Sequence, residues 1–246
     1  MATDFPTNTV LLIIVSMIGI GAISWFSLSQ GFQHLPIAPE IRRGWRWGIA
    51  IVLSAWLVIR VGFAFFLPGR TALSVPFVAA FLTGGMFLGL VPLFFSPIFR
   101  QAIAAIPQTR LVGFQTVRVI GVFFITLLDM KLLPPQFALP AGYGDVTVGL
   151  LAVWMVYLLN TKKPYAHTLI ILWSILGLFD LLVALITGIT FIPTFAHQVV
   201  ASGGSVQYLN YVLLIPTYGV PLALLFHMYT LFQLLSVRQQ AADGSL

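Results

Sequence analysis

Seven apolar runs of about twenty residues or more dictate what this chain can become. They cover residues 9–30, 44–67, 75–95, 110–130, 141–160, 166–188 and 208–236. Each is long enough to cross a hydrocarbon layer of ~30 Å, which takes ~20 helical residues. A membrane β-strand would need only ~10 residues and would alternate polar with apolar, whereas these runs are continuous in Leu, Ile, Phe and Ala. Helices satisfy their own backbone hydrogen bonds, so they are the form open to such runs in lipid. The 246 residues are 59% hydrophobic and 7% charged, with a mean hydropathy of +1.02. A water-soluble globule of this size has no interior large enough for that much apolar side chain. The expectation is an all-α, polytopic bundle of seven transmembrane helices. Residues 1–246 read as one membrane domain, because the longest stretch outside the runs, 189–207, is too short for a core of its own. That stretch contains Pro193, His197 and Gly203–Gly204 and reads as a mobile outer loop.

The basic residues orient the bundle, since Lys and Arg in short loops stay cytoplasmic. Arg42, Arg43 and Arg46 fall between the first two runs, Arg100 and Arg110 between the third and fourth, Lys162 and Lys163 between the fifth and sixth, and Arg238 after the last. Only Arg70 and Lys131 fall in loops on the other side, with Asp4 in the N-terminal tail. The chain therefore reads as N-out and C-in, which agrees with an odd number of spans. The formal charge of +6 is spread over four short segments with no soluble domain to carry it, so nucleic acid is not an expected partner. The partner is the lipid bilayer, and a bacterial inner (plasma) membrane is the expected location. MATDFPTNTV lacks the basic region of a secretory or transit signal, so the first run is expected to be retained. Residues 97–108 place Ile98, Phe99, Ala102, Ile103 and Ile106 near helical spacing, as a short helix in the cytoplasmic interface would. Gly85 and Gly89, and more loosely Ser16, Gly19 and Gly21, suit close helix packing, within the bundle or in an oligomer.

Ionisable side chains inside the runs are the candidate site, because a charge at a helix centre costs ~2.5–3.5 kcal/mol if it faces lipid. Asp180, amid an otherwise apolar run, leads this set. At ~1.5 Å per residue from the cytoplasmic ends of their helices, Arg60, Asp145 and Asp180 share a layer roughly 20 Å deep. Arg118 and His227 share another, roughly 12–14 Å deep. Two arginines and two aspartates balance, and Arg60 is expected to contact Asp180 or Asp145. Asp129 and Lys131 read as solvated interface charges.

Residues 132–145, with three prolines and two glycines, are expected to form an irregular, half-buried loop, with Gly142 to Asp145 opening the fifth helix. Asp145 then either serves the site or caps that helix. Gly142-Tyr143-Gly144-Asp145 resembles the GxGD signature of the intramembrane aspartyl proteases. The resemblance implies glycines that let substrate approach the backbone and a catalytic Asp145 sharing a proton with a second carboxylate, Asp180 or Asp129 here. From Gln115 and Arg118 through the proline-rich run to Asp145, the chain also resembles a family of small bacterial polytopic membrane proteins with no assigned activity.

Pro216, Tyr218, Gly219 and Pro221 are expected to kink the seventh helix in its outer half, as in transporters that expose backbone to a ligand. No cofactor is expected. The seventh run lacks the lysine that retinal needs, haem has only His227 well inside a span, and the absence of cysteine removes thiolate metal sites. No metal site is expected. The expected site is an outer-half polar pocket made by Arg60, Asp145, Asp180, Tyr143, Gly142, Gly144, Tyr218, Arg118 and His227. Its occupant is a small molecule or ion, in a transporter or sensor-like protein. An aspartyl peptidase and a non-catalytic subunit of a membrane complex are the alternatives.

Overall fold

The computed structural model describes residues 7–67, 74–201 and 205–242, with the side chains of residues 7, 206 and 237–242 left out. Asp4, Arg70 and Gly203–Gly204, and the side chain of Arg238, lie outside what is described. Seven helices are long and apolar enough to cross a membrane. In chain order they are α1 (Thr7–Gln33), α2 (Pro39–Phe66), α3 (Val75–Phe95), α5 (Gln108–Asp129), α6 (Pro135–Asn160), α7 (Ala166–Ala201) and α8 (Leu209–Ser236), with the short α4 (Pro97–Ala105) between α3 and α5.

α8 is the central strut, with 78% of its most apolar window buried against at most 44% for any other span. Its irregular backbone explains that position. The helix turns at Leu213, passes through a π-helical segment at Ile215–Gly219 that contains Pro216, and becomes regular again at Val220. Backbone of this kind persists at membrane depth only where protein surrounds it. The backbone is therefore irregular where a kink was expected, and Ile215, Thr217 and Tyr218 within that segment are buried. Two glycines of α3 lie against α8: an added Cβ at Gly85 would strike Trp56 and Pro221, and one at Gly89 would strike Leu225 and Tyr229. These small residues serve packing inside the bundle.

Three expectations about local structure change. The proline-rich stretch is irregular only as far as Pro134, and α6 starts at Pro135 and runs through Pro140 to Asn160. Proline suits the first helical position because its missing N–H would be unpaired there anyway, so Pro135 starts the helix. Gly142–Asp145 lies inside it, and Asp145 is not a cap. The predicted outer loop is largely helical: α7 is 36 residues long and continues through Gly188 and Pro193 to Ala201. Its extension packs, with the ring of Phe195 5.1 Å from that of Phe137 and Gly188 lying beside Phe137. α4 is helical as expected, but its apolar face turns into the protein. Phe99, Ala102 and Ile103 are buried, and Gly31 of α1 lets the Ala102 carbonyl come close.

α5 and α6 each end in a left-handed residue that is not glycine, Lys131 at φ 59° and Lys162 at φ 49°. Paired amide bonds close both ends: Leu132 N–H to Leu127 O at 2.9 Å with Lys131 N–H to Leu128 O at 2.8 Å, and Lys163 N–H to Leu158 O at 3.2 Å with Lys162 N–H to Leu159 O at 3.0 Å. This pattern satisfies the last carbonyls of a helix.

Candidate functional site

Between residues 115 and 121, α5 tightens into a 3-10 helix, whose rise of ~2.0 Å per residue exceeds the α-helical ~1.5 Å. By Arg118 the backbone has advanced about 2 Å further than a regular helix would have, and the long arginine stem adds to this. The guanidinium thereby reaches the outer layer predicted for the two aspartates. Its Nε–H donates to Asp145 Oδ1 of α6 at 2.7 Å, an Nη2–H donates to Asp180 Oδ2 of α7, and an Nη1–H donates to the Gly177 carbonyl at 3.2 Å. Nη1 also lies 3.4 Å from His227 Nε2 of α8. Four spans in sequence thus deliver one ionisable side chain each to a single cluster.

The cluster sits in the protein interior. Side-chain exposure is 3% for Arg118, 9% for Asp145 and 17% for Asp180, and His227 is fully buried. Arginine only donates, so His227 Nε2 faces it as an acceptor and the imidazole proton belongs on Nδ1. That atom has no partner, nor does the buried hydroxyl of Ser174. Trp173 flanks the imidazole at 4.9 Å between ring centroids and donates to the Val148 carbonyl at 3.3 Å. One cation between two carboxylates, with a neutral imidazole, leaves an excess of one negative charge when both acids are ionised.

Glycines make room for each of these groups. An added Cβ at Gly121 of α5 would strike Asp145 of α6, one at Gly144 of α6 would strike the Asp180 carboxylate of α7, and one at Gly177 of α7 would strike His227 of α8. Each helix carries a notch for the ionisable residue of the next. Gly142 does comparable work, since a Cβ there would meet Ile125 at 2.5 Å and the Gly121 carbonyl at 3.2 Å. The GxGD glycines therefore face neighbouring helices.

Arg60 does not pair with either aspartate, contrary to expectation. Depth along an axis says nothing about direction around it, and α2 brings Arg60 to Thr217 of α8 instead. Arg60 is fully buried. Its Nε–H donates to Thr217 Oγ1 at 2.7 Å, and its guanidinium lies 5.2 and 5.0 Å from the rings of Phe77 and Phe81. Nη1 and Nη2 have no hydrogen-bond partner. Tyr218 is also apart, its ring tilted against that of Trp56 at 4.9 Å between centroids and its hydroxyl 3.4 Å from the Leu53 carbonyl. Tyr143 is 60% exposed on the outer surface of the bundle, and Asp129 is exposed at the end of α5. Of the expected set, Arg118, Asp145, Asp180 and His227 come together, with Gly144 as the notch for Asp180. Gly121, Gly177, Trp173 and Ser174 were not anticipated. Gly177 and Trp173 stand three and seven residues before Asp180, on one helix face, which was the available signal for them.

Two small cavities touch Asp145. One of about 20 Å³ lies beside Arg118, among Met17, Ile20, Val220 and Ala223. The other, about 60 Å³, lies among Phe124, Phe137, Leu181 and Phe195. A cavity needs roughly 10–15 Å³ to hold one water, so the one beside Arg118 has the volume for a single water.

Residues 75–235 match the family described as Domain of unknown function (DUF8737). That stretch holds every member of the cluster and leaves out Arg60. No curated protein matches the chain, and no solved structure does.

Proposed function

Since the chain belongs to the DUF8737 family, whose description assigns no activity, we propose its function from the cluster: a multi-pass membrane protein that takes up an exchangeable proton or small cation at Arg118, Asp145, Asp180 and His227. It acts as a transporter or sensor, with the N-terminus outside and the C-terminus inside a plasma membrane. One observation carries the reading. Two carboxylates share one arginine at membrane depth, and a buried net charge is costly unless something compensates it. A proton or a cation is the smallest compensation, and the cavity beside Asp145 suits that size.

The geometry does not favour the peptidase. An aspartyl dyad has two carboxylates sharing a proton across a catalytic water, whereas here a guanidinium bonds both acids.

Trp173, the tryptophan against His227, provides a reporter. With the other five tryptophans changed to phenylalanine, its emission should titrate with pH or with a monovalent cation. Asp145→Asn should remove that response, and in liposomes it should remove any gradient-driven flux. A Trp173 signal indifferent to pH and cations, with an Asp145→Asn variant altered only in yield or oligomer size, would leave the cluster an assembly device and refute the proposal.

A further inference from the structure

A cavity of about 470 Å³ lies between α2, α3 and α8, lined by none of the four residues of the charged cluster. Its α2 wall is a helical stripe that includes Ile41, Gly44, Gly48, Val52 and Trp56. α3 contributes Gly89 and Pro92, and α8 forms the floor with Leu225 and Tyr229. The groove closes where Trp56 meets Gly85 and widens towards the start of α2. Nothing lies within 4 Å of an added Cβ at Gly44 or Gly48, so these glycines face open space. The lining is apolar, and the Tyr229 hydroxyl is already committed to the Gly89 carbonyl at 3.1 Å.

From Ile41 to Trp56 the stripe is about 22 Å long at ~1.5 Å per residue. Half a bilayer, headgroups included, is about 20–22 Å, so the groove matches one leaflet. Arginines gather at its open end. Arg42, Arg43 and Arg46 lie in the first turns of α2, and Arg100 follows Phe99, which also lines the groove. Arg43 and Arg100 are exposed, and Glu40 is the acid in this segment. Arg42 is tied to the Leu35 and Ile37 carbonyls at 3.1 and 3.4 Å, which holds the charged segment against the bundle.

We infer that the groove between α2 and α3 binds one acyl chain of an anionic phospholipid, its tail ending at Trp56 and its headgroup phosphate held by the arginines at the start of α2 and on α4. Basic pockets between helices on a cytoplasmic face recognise such headgroups, and the volume lies within the ~300–1,000 Å³ of ordinary ligand sites. The occupant comes from the leaflet itself, because the groove is open along its length to hydrocarbon and positive where headgroups lie.

The test uses the full chain in nanodiscs of equal phosphatidylglycerol and phosphatidylcholine, extracted gently and weighed by native mass spectrometry. The parent should retain phosphatidylglycerol over phosphatidylcholine. Arg43→Gln and Arg100→Gln should each cut that preference about fivefold, the share of one surface cation. Gly48→Leu, whose Cβ meets no atom within 4 Å, should fold as the parent does and retain neither lipid. Equal retention of both lipids by the parent overturns the inference, as does a folded Gly48→Leu protein that keeps its phosphatidylglycerol. A lipid-free dimer that Gly48→Leu separates would assign the groove to a second copy and overturn it too.

Discussion

Gly144→Ala tests whether the notches matter. In an open helix the change should stabilise, since alanine is favoured over glycine by ~0.5–1 kcal/mol in a helix interior. Here the three atoms nearest the added Cβ all belong to the Asp180 carboxylate. A carboxylate is the end of a side chain, so it can swing aside, but it then leaves Arg118. A hydrogen bond to a charged group is worth ~1.5–3 kcal/mol, and the 17% exposure of Asp180 favours the lower half of that range. Net destabilisation of about 0.5–1.5 kcal/mol is expected. With Asp180→Ala already present the obstacle is gone, and Gly144→Ala should gain about 0.5–1 kcal/mol. The change of sign is the diagnostic, with a coupling of about 1.5–2 kcal/mol across the cycle. Thermal unfolding in detergent reads it, at roughly 2–4 °C per kcal/mol for a chain of this length. If Gly144→Ala has the same effect with and without Asp180, the notch does not hold the carboxylate and the cluster geometry is wrong.

Arg118→Met should cost about 3–5 kcal/mol, because it strands two buried acids; adding Asp145→Asn and Asp180→Asn should recover most of that loss in the same unfolding assay. Arg60→Met should change stability by less than about 1 kcal/mol, since one hydrogen bond and two ring contacts are set against the cost of burying the guanidinium; a larger loss would mean that Arg60 has an anionic partner. For orientation, a C-terminal green fluorescent protein fusion should glow and a C-terminal alkaline phosphatase fusion should be inactive, and the reverse pattern would invert the bundle.

Existence and number of the spans were legible because a run of apolar residues long enough for the hydrocarbon layer has few alternatives. The ends of α6 and α7 were not. Pro135 and Gly188 are ambiguous letters: proline both breaks a helix and starts one, and Gly188 looks like a terminator until the Phe137 ring is placed against it. The four ionisable members of the cluster were also legible, since charge inside a span marks a site by default. Their pairing was not. Depth was counted with a uniform rise, which the 3-10 stretch of α5 violates, and no periodicity reveals which face of α2 meets α8. Arg60 and Arg118 were thus indistinguishable as partners until the helices were assembled.

The notches bear on function more than the charges alone do. A buried ion pair contributes little stability, because desolvation offsets its attraction, so stability gives no reason to keep four ionisable groups at this depth. An acid snorkelling to the membrane surface would need no vacancy in the next helix. Here three glycines on three successive spans each open towards the ionisable residue of the following one. Close packing leaves the helices few registers in which every group fits its notch, because a one-turn slide would drive a side chain into a backbone. Under the proposed function, the helices hold fixed while the charges keep one local freedom, the occupancy of the proton or cation that balances the second carboxylate. A rigid frame around a single titrating position is what a site needs if binding is to be read as a change in charge rather than a collapse of the fold.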